Sequence, residues 1–112
     1  MNTKIEYLYR DAGNYKKYNT AIICGEITQE QVDTIIDCLD CREWFIPEQV
    51  GLPAERLEEF SFDSDEDHPF LELRKNDFSL TEDAPDCDIT VEELVVNFKK
   101  AKGQWYLDDF GW

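Results

Sequence analysis

Lys4-Ile5-Glu6-Tyr7-Leu8-Tyr9-Arg10, near the start of this 112-residue chain, decides how the rest is read. Ile5, Tyr7 and Tyr9 fall on one side of an extended backbone, and Lys4, Glu6 and Arg10 on the other; only Leu8 breaks the alternation. A period of two with aromatic residues predicts a half-buried strand. Asp11-Ala12-Gly13-Asn14 reads as a turn, because Gly and Asn tolerate positive φ. Tyr18 to Gly25, containing Ala21-Ile22-Ile23-Cys24, predicts a second strand. The two should pair as an antiparallel hairpin with a fairly long loop.

A hairpin with one apolar face needs a cover, and two amphipathic helices supply it. Thr28 is a natural N-cap, and Gln31 three residues on completes a capping box. Val32, Ile35, Ile36 and Leu39 then recur at helical spacing, which predicts a helix over Gln29 to Asp40. Thr90 and Glu93 form a second box, followed by an apolar stripe of Val91, Leu94, Val95 and Phe98. Lys99, Lys100 and Lys102 suit the negative end of that helix, and Gly103 stops it. Between the helices, Trp44-Phe45-Ile46 predicts a strand ended by Pro47, and Pro53 a short helical turn. Phe70 to Arg74 predicts a further strand, and Phe78 to Leu80 either its continuation or a partner after an Asn76-Asp77 turn. The expected fold is α+β, a single domain with an antiparallel sheet of four to five strands and two helices on one face.

Hydrophobic residues make up 42% of the chain, enough for a packed core in spite of the charge. That charge is −15, from 26 acids against 11 bases. It repels nucleic acid and anionic membranes and attracts cationic surfaces. It is also uneven. Glu26 to Glu93 contains 22 acids and four bases, whereas the first 18 residues hold four bases and two acids. The start of the chain lacks the apolar core of a secretory signal, and no run approaches a membrane span in length. The expected location is the cytosol, with Cys24, Cys38, Cys41 and Cys87 as reduced thiols.

Cys38-Leu39-Asp40-Cys41 is the one motif with chemical content, a weak candidate for metal or redox chemistry. A redox pair needs a thiol acidified by a helix N-terminus. This pair falls at a helix C-terminus among six acids between Glu30 and Glu48, which disfavours a thiolate. Zinc would have to recruit Cys24 and Cys87, with no second CxxC and one histidine in the chain. Asp63-Ser64-Asp65-Glu66-Asp67 begins like a calcium loop, but His68 stands where glycine is needed and Arg74 where the bidentate glutamate belongs. His68 has no nucleophile motif beside it. No cofactor is expected.

Four segments carry a resemblance. Residues 4–16, KIEYLYRDAGNYK, together with Glu48 to Pro53, Asp67-His68-Pro69 and Thr81 to Pro85, resemble a family of short bacterial proteins of unknown function. The resemblance implies a soluble bacterial protein and no particular chemistry.

The leading functional expectation is a non-enzymatic interaction module with an acidic face for a basic protein, such as a nucleic-acid-binding one. In its strongest form it is an inhibitor, immunity protein or nucleic-acid mimic. The face would comprise Asp63, Asp65, Glu66 and Asp67 with Glu30, Asp33 and Asp37 of the first helix. The aromatic tail is expected either to dock onto its own sheet or to offer an apolar contact to another chain, which makes Trp105, Tyr106 and Trp112 further candidates for a partner contact. The rival expectations are a homo-oligomer such as a homodimer, joined through that tail or a sheet edge, and a metal or redox protein centred on Cys38 and Cys41.

Overall fold

The computed structural model describes residues 1–10, 16–54 and 70–105. Its elements run β1 (Asn2–Arg10), β2 (Lys16–Ile23), α1 (Gln29–Cys38), β3 (Trp44–Phe45), α2 (Pro47–Val50), β4 (Leu71–Glu72), a 3-10 turn (Lys75–Asp77), β5 (Phe78–Thr81) and α3 (Val91–Ala101). The five strands form one antiparallel sheet in the order β2-β1-β4-β3, with β5 also on β1. The α+β fold read from the sequence is the fold observed.

The register explains which side chains are inside. Ile5 faces Ala21, Tyr7 faces Asn19 and Tyr9 faces Lys17, so the alternating apolar residues of β1 share one face. There they meet Val32, Ile35 and Ile36 of α1 and Leu94, Val95 and Phe98 of α3. Both capping boxes form. Thr28 Oγ1 accepts from Gln31 N–H at 3.2 Å, and Thr90 Oγ1 from Glu93 N–H at 3.1 Å. Each box satisfies donors that a helix start otherwise leaves open.

Leu8 breaks the alternation because the opposite sheet face is also partly covered. It pairs with Tyr18 on one side and Glu72 on the other, and Glu72 pairs in turn with Trp44. These residues form one row across the sheet, and Leu8 is buried within it.

Several boundaries depart from expectation: β2 is Lys16–Ile23 where Tyr18 to Gly25 was expected, and β4 is Leu71–Glu72 where Phe70 to Arg74 was expected. α1 ends at Cys38, two residues early, because Leu39 is extended and the chain reverses through Cys41 and Arg42 at φ 52° and 58°. Asp40 and Trp44 then bridge, which returns the chain to the sheet. Pro47 does not merely end a strand; it opens α2 from the first helical position, where a missing N–H costs nothing. Pro53 itself is non-helical, and the turn expected after it lies outside the described residues, as does the Asp11 to Asn14 turn.

Of the two readings of the aromatic tail, Trp105 takes the docked one. It is 2% exposed and donates its indole N–H to the Cys38 carbonyl at 3.0 Å. Its ring meets Phe45 and Phe98 edge-on, with centroids 6.4 and 5.9 Å away. Phe45 also meets Tyr7 edge-on at 5.6 Å. Trp105 therefore closes the core and is not a partner contact. Gly103, at φ 75°, gives the backbone reversal that brings it back onto α1 and β3.

Candidate interaction surface

Charge on a surface acts at a distance only where it is not neutralised locally. The α1 acids fail that condition in part. Asp33 receives Lys75 Nζ at 3.1 Å and the Gln29 amide at 3.1 Å. Lys75, and then Gln29, hold its carboxyl below the usual carboxylate range. Asp37 receives Arg42 at 2.9 Å. Glu30 is exposed and, among the described residues, unpaired. Asp63, Asp65, Glu66 and Asp67 lie outside the described residues, as do Tyr106, Trp112 and His68.

A different stretch holds the concentrated charge. Glu82, Asp83, Asp86, Asp88, Glu92 and Glu93 fall between β5 and the first turn of α3, with no lysine or arginine from Asn76 to Phe98. All six are exposed, and none forms an ion pair among the described residues. Two have structural tasks. Glu93 closes the capping box, and Asp86 accepts from the Ile22 N–H at 2.8 Å. The carboxylates of Glu82, Asp83, Asp88 and Glu92 have none.

The fold fixes this stretch firmly. Asp86 and Cys87 donate backbone N–H groups to the Ile22 carbonyl, at 2.9 and 3.3 Å. Cys24 N–H donates to Ile89 O at 3.4 Å, and Val91 N–H to Cys24 O at 3.0 Å. Residues 86–91 thus lie against the outer edge of β2 at its C-terminal end. Asn2 ties the other side, donating to the Asp83 carbonyl at 2.9 Å. The acids sit on anchored backbone, so their spacing is set before a partner arrives. The gap in bases from Asn76 to Phe98 was the sequence signal for this surface; the denser run at 63–67 drew attention away from it.

On the outer sheet face, Glu72 is held between Arg10 Nε at 2.9 Å and Arg74 Nη2 at 3.0 Å, and Arg74 also reaches Glu43 at 3.4 Å. A depression of about 170 Å3 lies beside them, lined by Glu6, Leu8, Arg10, Tyr18, Arg74 and Asp77. Burial, opposed by the hydrogen bond from Arg74 N–H, pushes the Asp77 carboxyl up. Both guanidiniums already contact Glu72, so the depression carries mixed and largely satisfied charge.

The cysteines do not converge. Cys38 is buried at the end of α1, Cys41 is exposed in the left-handed turn, and all four are free thiols. Among the described residues, no group of three or more His, Cys, Asp or Glu side chains is placed to hold a metal ion. Burial pushes the Cys38 thiol up. Burial, with Asp86 beside it, pushes Cys87 up to about 11. At pH 8 the Cys87 thiolate fraction is then about a hundredfold below that of an ordinary thiol. Iodoacetamide labelling followed by mass spectrometry should modify Cys24 and Cys41 first and Cys38 and Cys87 last. Preferential alkylation of Cys87 or Cys38 would reopen the redox reading.

Tyr7 is also buried and donates its hydroxyl to the Pro53 carbonyl. Burial first, and then Cys87, Asp86 and Glu48, raise its phenol well above the ordinary range. It is a neutral tie between sheet and loop. No helix among the described residues is long and apolar enough to cross a membrane. Comparison with protein-family models gives no match, and neither curated proteins nor solved structures give one.

Proposed function

We propose that this chain is a non-enzymatic interaction module that binds a basic protein through the acidic surface of the β5–α3 segment. One observation carries the reading. Glu82, Asp83, Asp88 and Glu92 are exposed, have no ion-pair partner among the described residues, and stand on backbone anchored to β2 and β1. Anchored like charges repel one another, and a cationic partner relieves that repulsion. The 63–67 acids would extend the surface but are not needed for it. In the strongest form of the reading, the surface fills a groove its partner otherwise uses for nucleic acid. A cytosolic location belongs to the same reading: the four free thiols suit a reducing compartment.

The test is fluorescence titration with a lysine- and arginine-rich peptide at several salt concentrations. The quadruple variant Glu82→Gln, Asp83→Asn, Asp88→Asn, Glu92→Gln should bind about ten- to hundredfold more weakly at low salt, with a shallower salt dependence. The triple variant Glu30→Gln, Asp33→Asn, Asp37→Asn should change affinity about threefold or less, because two of its carboxylates are already paired. Equal losses in both variants would mean that net charge alone drives binding, and the assignment of the surface would fail.

A further inference from the structure

We infer that the open edge of β2 is a self-pairing surface, and that two copies of this chain join there through an antiparallel strand pair. The inference does not require the reading above; it uses the other half of the same edge, although its acidic end, Asp86 and Asp88, belongs to the same segment.

The alternation of β2 decides which main-chain groups face outward. Ile22 turns its N–H and C=O away from β1, to Asp86. Cys24 does the same toward Ile89 and Val91. By the two-residue period, Lys16, Tyr18 and Thr20 also present their N–H and C=O groups outward. Those two neighbours of the covered stretch, Tyr18 and Thr20, meet no backbone partner among the described residues. Tyr18 is also 68% exposed, the most exposed large apolar side chain among those described. Among the described residues the edge is thus stopped at Ile22, and its outward main-chain groups are open at Tyr18 and Thr20. An open run of this kind is a ready template for another strand.

Charge selects a second copy as the occupant. The open run follows Lys16 and Lys17, and it ends against Asp86 with Asp88 beyond. One edge therefore carries a basic end and an acidic end. A two-fold axis through Tyr18 places Tyr18 opposite the partner subunit's Tyr18, and Thr20 opposite the partner subunit's Lys16. Each pair exchanges two main-chain hydrogen bonds. The lysines of each copy then come down beside the acidic stop of the other, and no lysine faces a lysine. A lysine-rich foreign strand would meet Lys16 and Lys17 with like charge, and an acidic one would meet Asp86 with like charge. The isologous arrangement satisfies both ends at once.

The experiment is light scattering of the full chain over a range of concentrations, with amide hydrogen exchange read at the same concentrations. Doubling of the mass should appear together with concentration-dependent protection of the Tyr18 and Thr20 amides. Thr20→Pro removes an outward donor and no ladder bond to β1. It should raise the concentration needed for dimer at least about tenfold while leaving the far-ultraviolet spectrum intact. Lys16→Glu with Lys17→Glu, which sets acid against Asp86, should weaken the dimer about tenfold or more. A chain that stays monomeric up to millimolar concentration overturns the inference. So does a dimer in which Tyr18 and Thr20 exchange at a rate independent of concentration. Should Thr20→Pro fail to fold, the exchange of these two amides in the native chain still decides the matter.

Discussion

Trp105→Ala is expected to lower the free energy of unfolding by about 3–5 kcal/mol, the range for removing a large aromatic from a core. The ring is 2% exposed and lies against Phe45 and Phe98. Alanine would leave a void between α1, β3 and α3 that small neighbours cannot fill. It would also orphan the buried Cys38 carbonyl, which now accepts the indole N–H. Domains of this size have about 5–15 kcal/mol of stability in total, so the variant should be close to unfolding. Urea denaturation followed by circular dichroism measures the loss. Trp105→Phe separates the causes: it keeps most of the ring contact and loses the hydrogen bond, and should cost about 1–3 kcal/mol. If alanine costs less than about 1 kcal/mol, Trp105 is not closing the core.

The second large effect is expected at Glu72. Its side chain is 10% exposed and receives Arg10 and Arg74 from different elements. Glu72→Leu would remove the carboxylate that Arg10 and Arg74 share and leave their two guanidiniums close together without it. Removing one partner of a fully buried pair costs about 3–5 kcal/mol. Here the arginines are 35% and 57% exposed and can turn to water, so about 2–3 kcal/mol is expected. The triple variant Glu72→Leu, Arg10→Met, Arg74→Met should recover most of that loss, because apolar groups of similar volume replace the charge network. A triple variant as unstable as the single would show that Glu72 acts through packing alone.

These two residues mark where sequence reading stops. β1, β2, α1 and α3 were legible because each declares itself within a few neighbours. Alternation over Lys4 to Arg10 and the Thr28 and Thr90 capping boxes are local signals, and both boxes form. Glu72 is different. Its partner Arg10 lies 62 residues away, and no local pattern announces that a carboxylate on the open face of a strand will be clamped. Trp105 follows the glycine that ends α3, in a tail whose aromatic residues suit docking on the sheet and contact with another chain alike; only the return of the chain onto Cys38 puts it inside. α2 is four residues long, too short for a periodicity, and its Pro47 serves equally well as a stop or a start.

The candidate surface was legible in kind and misplaced in detail. Surplus acid is plain from composition. Which acids remain unneutralised depends on contacts such as Lys75 to Asp33, made across 42 positions of sequence and invisible to spacing. Arg42 to Asp37 runs through a turn whose left-handed residues, Cys41 and Arg42, are not ones that favour it.

The segment that lies along β2 from Asp86 to Val91 also bears on how the chain behaves when concentrated. A long bare border strand invites one molecule after another to add on, and filaments grow that way. Here the border is plugged beyond Ile22, and β3 at the far side of the sheet is two residues long. Whatever docks on β2 uses up the one open extended stretch that the described residues offer on that side, so addition there ends after a single step.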